Sequence, residues 1–199
     1  MEVVRQSLRH ARRPAIVTDS QVLRHSDLVT QALHVRHALL EQWGQRAADS
    51  RQVNVAITTS AVHSFASALF GSWMAGAVAV PVSPSHPDGA VEHILHDSRS
   101  QIVLCDEASV GRMRALHPCV ISVPPRSGFR FLSTPRLLEG AVDAIGRGKR
   151  RWRDDDHALI LYTSGTTGRC VVHCSLCIVC CALCVARDVH TDHRTRNVA

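Results

Sequence analysis

Five short, almost uninterrupted apolar runs narrow the choice of fold: Val53-Asn54-Val55-Ala56-Ile57, Ala77 to Val82, Gln101-Ile102-Val103-Leu104, Cys119 to Val123, and Ala158-Leu159-Ile160-Leu161-Tyr162. A strand wetted on one face alternates apolar with polar residues, whereas a strand covered on both faces has no need to. Between the runs the spacing turns helical. Ser26 is placed to cap a helix that carries Leu28, Val29, Ala32, Leu33, Leu39, Leu40 and Trp43, with Gly44 as its stop. Ser60 is placed to cap a second, in which Phe65, Leu69 and Trp73 fall four apart before Gly76. Helices over Asp88 to Asp97 and near Glu107 to Leu116 follow. Strand, helix, strand, helix with apolar strands predicts an α/β, doubly wound parallel sheet. Ahead of it, Ala15 to Thr18 and Gln21 to Arg24 flank Asp19-Ser20 as a small N-terminal hairpin.

From Pro124 to Asp156 the periodicity fades into Pro, Gly and Arg, and residues 124–156 read as an irregular charged linker. The chain has 199 residues, enough for one sizeable domain, and a hydrophobic fraction of 45%, enough for a packed core. Its formal charge of +6 comes from scattered arginines, and Lys149 is the single lysine. Without a basic stripe or many aromatic side chains for stacking, the charge reads as solvated surface, so no nucleic-acid partner is expected. Met1 to Arg13 has the basic, acid-poor make-up of an organellar presequence, yet the folded pattern starts at Ala15, which leaves little room for a removable peptide. No secretory signal is evident. The apolar run Cys170 to Ala186 is broken by His173 and Ser175, so no membrane span is expected. The expected setting is intracellular.

The last apolar run leads directly into Thr163-Ser164-Gly165-Thr166-Thr167-Gly168. Glycines let a backbone approach phosphate oxygens closely, and successive N–H and hydroxyl groups donate to them. The spacing is not that of a Walker loop, which needs four residues between its glycines and then Lys-Ser/Thr. An ordinary strand-to-helix turn is the plainer alternative.

Tyr162 to Gly168 resembles the phosphate-loop signature of the AMP-forming acyl-CoA synthetase, luciferase and peptide-synthetase adenylation superfamily. Trp73-Met74-Ala75-Gly76-Ala77-Val78-Ala79-Val80-Pro81-Val82 is similar to the family's helix-Gly-strand-Pro segment. Ser83-Pro84-Ser85-His86-Pro87 and the helix ending at Asp97-Ser98 continue in register. The resemblance implies a partial AMP-binding domain over residues 14–199, an incomplete N-terminal subdomain of such a synthetase. It implies ATP with Mg2+ and coenzyme A as reactants, and a small carboxylic acid activated to an acyl-adenylate and then an acyl-CoA. Thr163, Ser164, Gly165, Thr166, Thr167 and Gly168 would hold the β- and γ-phosphates. The Ser-Pro-Ser-His-Pro stretch resembles members acting on short or malonyl-type acids. Activity of the chain alone is not expected, because the remaining catalytic groups of the family would fall beyond Ala199.

The chain departs from the family after the loop. Pro-Lys-Gly is expected there, but Arg169-Cys170-Val171-Val172-His173 stands in its place. A guanidinium does not reproduce the reach or hydration of an ammonium. Six of the eight cysteines follow: Cys170, Cys174, Cys177, Cys180, Cys181 and Cys184. Cys174, Cys177, Cys180 and Cys184 have the spacing of an iron–sulfur run without its closing proline. At helical pitch all six share one stripe of an apolar helix, and the buried helix is the preferred reading, with no metal. A corrupted stretch of sequence is a third. Dense unpaired cysteines point to a reducing compartment, cytoplasm or mitochondrion. Two further functional readings stay open: a cysteine-rich metal or redox module on an α/β scaffold, and a non-catalytic degenerate relative.

Overall fold

The structure, a computed structural model, describes residues 2–19, 21–43, 52–123, 138, 140, 142–143, 156–162 and 171–174. The elements run α1 (Glu2–Arg9), β1 (Pro14–Val17), β2 (Val22–Arg24), α2 (His25–Trp43), β3 (Asn54–Thr58), α3 (Val62–Ala75), β4 (Val78–Pro81), α4 (Asp88–Asp97), β5 (Ile102–Asp106), α5 (Val110–Leu116), β6 (Val120–Val123), β7 (Leu159–Tyr162) and β8 (Val171–Cys174). β1 and β2 form the expected antiparallel hairpin. The main sheet has the order β6-β5-β3-β4-β7-β8. Its first five strands are parallel, as the apolar runs predict.

Alternation along the strands sorts the core into two faces. Val55 and Ile57 of β3, Ala79 of β4, Ile102 and Leu104 of β5 and Leu159 of β7 pack with Val35, Leu39 and Trp43 of α2 and Ala68 of α3. Their neighbours Ala56, Val78, Val80, Val103, Cys105 and Ile160 pack with Val91, Ile94 and Leu95 of α4 and Met113 of α5. Helices therefore cover both faces, and the doubly wound reading holds. The buried stripe of α2 is Leu28, Ala32, Val35, Leu39 and Trp43. Val35 completes the spacing that the sequence reading left without it.

Four local readings need correction. Ser26 does not cap α2, which already begins at His25; instead the Asp27 carboxylate accepts the Arg24 N–H at 3.1 Å, as an acid in the first turn does in half of a capping box. Ser60 does not cap α3 either. Ala61 holds that position with no side-chain cap, and the Ser60 N–H donates to the Asp106 carboxylate. The basic N-terminal residues are part of the fold, since α1 buries Val4 and Leu8 in a third cluster with Leu28, Phe70 and Trp73. Finally, Val171 to Cys174 form no helix: they pair antiparallel to β7, Val171 facing Tyr162 and Cys174 facing Leu159. Over these four residues, of which Cys174 alone is a cysteine, backbone pairing at the open edge of β7 replaces the helix. Cys170, Cys177, Cys180, Cys181 and Cys184 lie outside the described residues. So does most of 124–156, but its Leu138 and Val142 are helical, fully buried and part of the α1 cluster, and Asp143 pairs with Arg5 at 3.3 Å.

Candidate functional site

Parallel strands all end on one edge, and here the segments that carry the family resemblance follow strands at that edge. The chain leaves β3 toward α3 on one face and leaves β4 toward α4 on the other. Neighbouring strands whose connections part in this way open a crevice at their carboxyl ends, the usual ligand position in such sheets. Thr58, Pro81, Asp106, Val123 and Tyr162 are the last residues of β3, β4, β5, β6 and β7.

Beyond β3, Thr59 is buried, and its hydroxyl has no hydrogen-bond partner among the described residues. Ser60 is tied to Asp106. Beyond β4, the segment Ser83 to Pro87 is closed by a Ser83–Ser85 hydroxyl contact of 2.8 Å and held by one arginine. Arg112 of α5 donates to the Pro84 carbonyl at 2.9 Å, to the His86 carbonyl, and to the Asp88 carboxylate at 2.7 Å. A planar guanidinium with several fixed donors suits three acceptors arranged around one turn. The short-acid resemblance rests on this segment, and Arg112 fixes its path. Nothing in the sequence singles out Arg112, because it joins α5 to backbone carbonyls of the turn before α4 and to the Asp88 carboxylate, 24 residues away.

Beyond β7 lies the loop assigned to phosphate. Thr163, Ser164, Gly165, Thr166, Thr167 and Gly168 lie outside the described residues. The residues that bracket them are described: Tyr162 and Val171 stand side by side at the carboxyl end of the sheet. The Tyr162 hydroxyl donates to the Asp97 carboxylate at 2.8 Å. Burial first, then this hydrogen bond and the negative charge of Asp97, push the phenol up to about 12, with the Ser98 hydroxyl opposing. Tyr162 therefore stays a neutral donor throughout the physiological range.

The two described free thiols are poor candidates for chemistry. Burial pushes Cys105 up to about 11, Asp106 adds to the rise, and Arg114 opposes it. Burial also raises Cys119. A thiol so far from its thiolate is a weak nucleophile and a weak metal ligand. Among the described residues no three His, Cys, Asp or Glu side chains converge to hold a metal ion. Asp88, Asp97 and Asp106 each accept a hydrogen bond from a protein donor. Among the described residues no helix is long and apolar enough to cross a membrane.

Known proteins resemble this chain in sequence and in fold. A mitochondrial malonate–CoA ligase of Bos taurus is 33% identical over 149 residues, covering 73% of this chain and 24% of that protein. The Homo sapiens mitochondrial malonate–CoA ligase is 32% identical over the same shares. A malonate–CoA ligase of Arabidopsis thaliana is 25% identical over 177 residues, covering 79% of this chain and 28% of the relative. The chain thus spans about a quarter of the length of these relatives. Among solved structures, apo MatB of Rhodopseudomonas palustris superposes with a TM-score of 0.60 at 20% identity, covering 85% of this chain and 33% of that one. An anthranilate CoA ligase in complex with anthranoyl-AMP superposes with a TM-score of 0.63 at 18% identity, covering 86% and 32%. At such identities the superpositions speak for the fold. The AMP-binding enzyme family model matches residues 3–173, from the first turn of α1 to within β8. With the strand order, the crevice and the bracketed loop in agreement, the chain belongs to the AMP-binding enzyme family.

Proposed function

We propose that this chain contributes the polyphosphate-binding part of an AMP-forming acid–thiol ligase that acts on a malonate-type acid. The observation that carries the reading is the family match over residues 3–173, which takes in the whole of Thr163 to Gly168 at the carboxyl end of β7. The choice of acid is supported by the malonate–CoA ligases of Bos taurus, Homo sapiens and Arabidopsis thaliana among its relatives.

In the proposed reaction a carboxylate oxygen of the acid attacks the α-phosphorus of ATP. The bond to the bridging oxygen of the β-phosphate breaks and pyrophosphate leaves. The coenzyme A thiol, losing its proton, then takes the acyl group and AMP departs. Backbone N–H and hydroxyl groups of Thr163 to Gly168 hold the β- and γ-phosphates and stabilise charge on the departing pyrophosphate. Mg2+ arrives bound to the nucleotide, as it commonly does when phosphates supply much of its shell. The setting we assign is a reducing compartment, cytoplasm or mitochondrion, in keeping with the mitochondrial relatives and the free thiols.

We also propose that the 199 residues alone complete no turnover. Arg169-Cys170-Val171-Val172-His173 follows the loop where the family resemblance calls for Pro-Lys-Gly, and removing one positioned donor at a developing charge costs about a hundred- to thousand-fold in rate. The same departure favours the second reading, a non-catalytic relative that binds nucleotide. One set of measurements separates them. Calorimetry of the chain with ATP is expected to show weak binding that is lost on Thr166→Ala with Thr167→Ala. The chain is then grafted in place of the matching segment of the bovine ligase. Malonate-dependent exchange of labelled pyrophosphate into ATP by that chimera supports the ligase. ATP binding without exchange supports the non-catalytic relative, and failure of the chain to bind ATP overturns both.

A further inference from the structure

The helix α4 is braced at both ends. At its start the Arg112 guanidinium holds Asp88 and the two carbonyls of the preceding turn. At its end Asp97 receives the Tyr162 hydroxyl across 65 residues of sequence. Tyr162 is the last residue of β7 before the loop Thr163 to Gly168, and its backbone faces Val171 on the return strand. Two constraints therefore meet on one residue: the ladder to β8 fixes its backbone, and α4 fixes its ring.

From this juxtaposition we propose that Asp97 is a positioning residue for polyphosphate binding. It acts through Tyr162, holding the ring of the last residue of β7, from which the sequence continues into the loop. The inference rests on the reading of that loop as the ATP-polyphosphate site. Asp97 itself has no business with the anion. Its carboxylate would repel a polyphosphate, and its contact with β7 runs through a neutral phenol.

The chemistry of the pair suits the role. A hydrogen bond from a neutral hydroxyl to an ionised carboxylate is stronger than one between neutral groups. The rise of the phenol to about 12 means that the donor persists wherever the protein works. The sign follows directly: a group whose folded value lies above its unfolded value of 10.0 stabilises the fold fully below that value. The contribution is lost as pH rises through about 12. Ser98, next in sequence, is buried and shares a 2.7 Å hydroxyl contact with Ser100, which fixes the end of α4 against the start of β5.

Tyr162 is the single tyrosine of the chain, so its ultraviolet spectrum reports on this position alone against three invariant tryptophans. The experiment compares the whole chain with Asp97→Asn and Tyr162→Phe, using ATP and inorganic tripolyphosphate as probes in calorimetry. Each variant is expected to lose about tenfold in affinity for both probes, which corresponds to about 1.4 kcal/mol. Their melting temperatures check that the fold survives. Tripolyphosphate is further expected to perturb the tyrosine spectrum of the parent chain and to leave that of Asp97→Asn unchanged, a signature that a merely structural contact would not give. If both variants fold and bind the probes as tightly as the parent, the positioning role is wrong while the loop assignment stands. If the parent binds neither probe, the loop assignment itself fails and takes this inference with it. Should Asp97→Asn not fold, Tyr162→Phe decides, because it deletes one oxygen from a half-buried ring.

Discussion

Gly71 shows how little tolerance the packing leaves at single positions. A Cβ built there would lie 2.6 Å from the Val35 Cβ and 2.8 Å from the Ala32 carbonyl oxygen, both on α2. The residue sits within α3, where alanine would ordinarily be preferred over glycine by about 1 kcal/mol. That gain is available only if α2 can retreat, and Ala32 is itself fully buried. Overpacking a tight core costs about 1–3 kcal/mol, so the steric term is set against the propensity term and exceeds it here. Gly71→Ala is expected to lower the urea midpoint of unfolding, whereas an unchanged or raised midpoint would mean that the two helices stand further apart than described. Gly76 is constrained differently. Its φ of 81° is left-handed, and it closes α3 with its N–H on the Trp73 carbonyl while that of Ala77 reaches Ser72. The sequence reading found Gly76 because a helix stop leaves a local signature. It had no means of finding Gly71, whose reason lies on another helix.

At the scale of elements, α3 carries the joint between the helical layer and β7. Trp73 donates its indole N–H to the Ala158 carbonyl at 2.9 Å, and the same oxygen accepts the Ala79 N–H at 3.0 Å. The indole thus couples the end of α3 to the pairing of β4 with β7, the strand that leads to the loop. Phe70 stacks on the ring at a centroid distance of 5.8 Å. Trp73→Phe keeps an aromatic ring but removes the donor and part of the volume. The Ala158 oxygen retains its bond to Ala79, so the loss is that of one net hydrogen bond, about 1 kcal/mol, with a similar packing term. A drop of about 1–3 kcal/mol in unfolding free energy is expected by urea titration, and a change below a few tenths would show that the indole bond contributes nothing. The elements most legible in the sequence were those with strong local periodicity: β3, β4, β5, β6, β7 and α4 all fall on the runs and spacings that announce them. The misreadings have a shared cause. Ser26 and Ser60 carry good capping side chains, but where a helix begins is settled by the partners that tertiary structure brings, Asp27 for Arg24 and Asp106 for Ser60. Val171 to Cys174 lie in the stretch read as an apolar helix from its cysteine spacing, yet β7 offers an open ladder. The loop Thr163 to Gly168 is read from the family motif alone and lies outside the described residues, whereas the contacts of Asp97 and Arg112 span sequence separations that no local pattern encodes.

The whole molecule has a layered stability that follows from its strand order. β3 is flanked by β4 and β5 and covered by helices on both faces, and Val55, Ala56 and Ile57 are fully shielded from solvent. Val103, Leu104 and Cys105 of β5 are equally buried. At the opposite extreme stand the hairpin, with Val17 and Val22 exposed at 68% and 47%, and the sheet edge at β6, where Val120, Ile121 and Ser122 are half-covered. Amide exchange from a buried central strand requires the sheet to come apart, whereas exchange at a hairpin requires only local opening. The proposed nucleotide site lies at the carboxyl edge of the sheet, so this gradient would set it on the well-buried β3–β5 floor. Native-state hydrogen exchange is accordingly expected to be slowest at the Ala56, Ile57 and Leu104 amides and faster at Val17 and Val22 of the hairpin. β7 is expected to fall between them, because Ala79 pairs with Leu159 on one side and β8 returns along the other. Adding ATP should slow exchange in β7 more than in β2, since a ligand that binds at the end of one strand suppresses the openings that expose it. Equal slowing of both strands would indicate one cooperative unit with no gradient. Protection of β2 without β7 would place the nucleotide away from Tyr162 and refute the arrangement of the site.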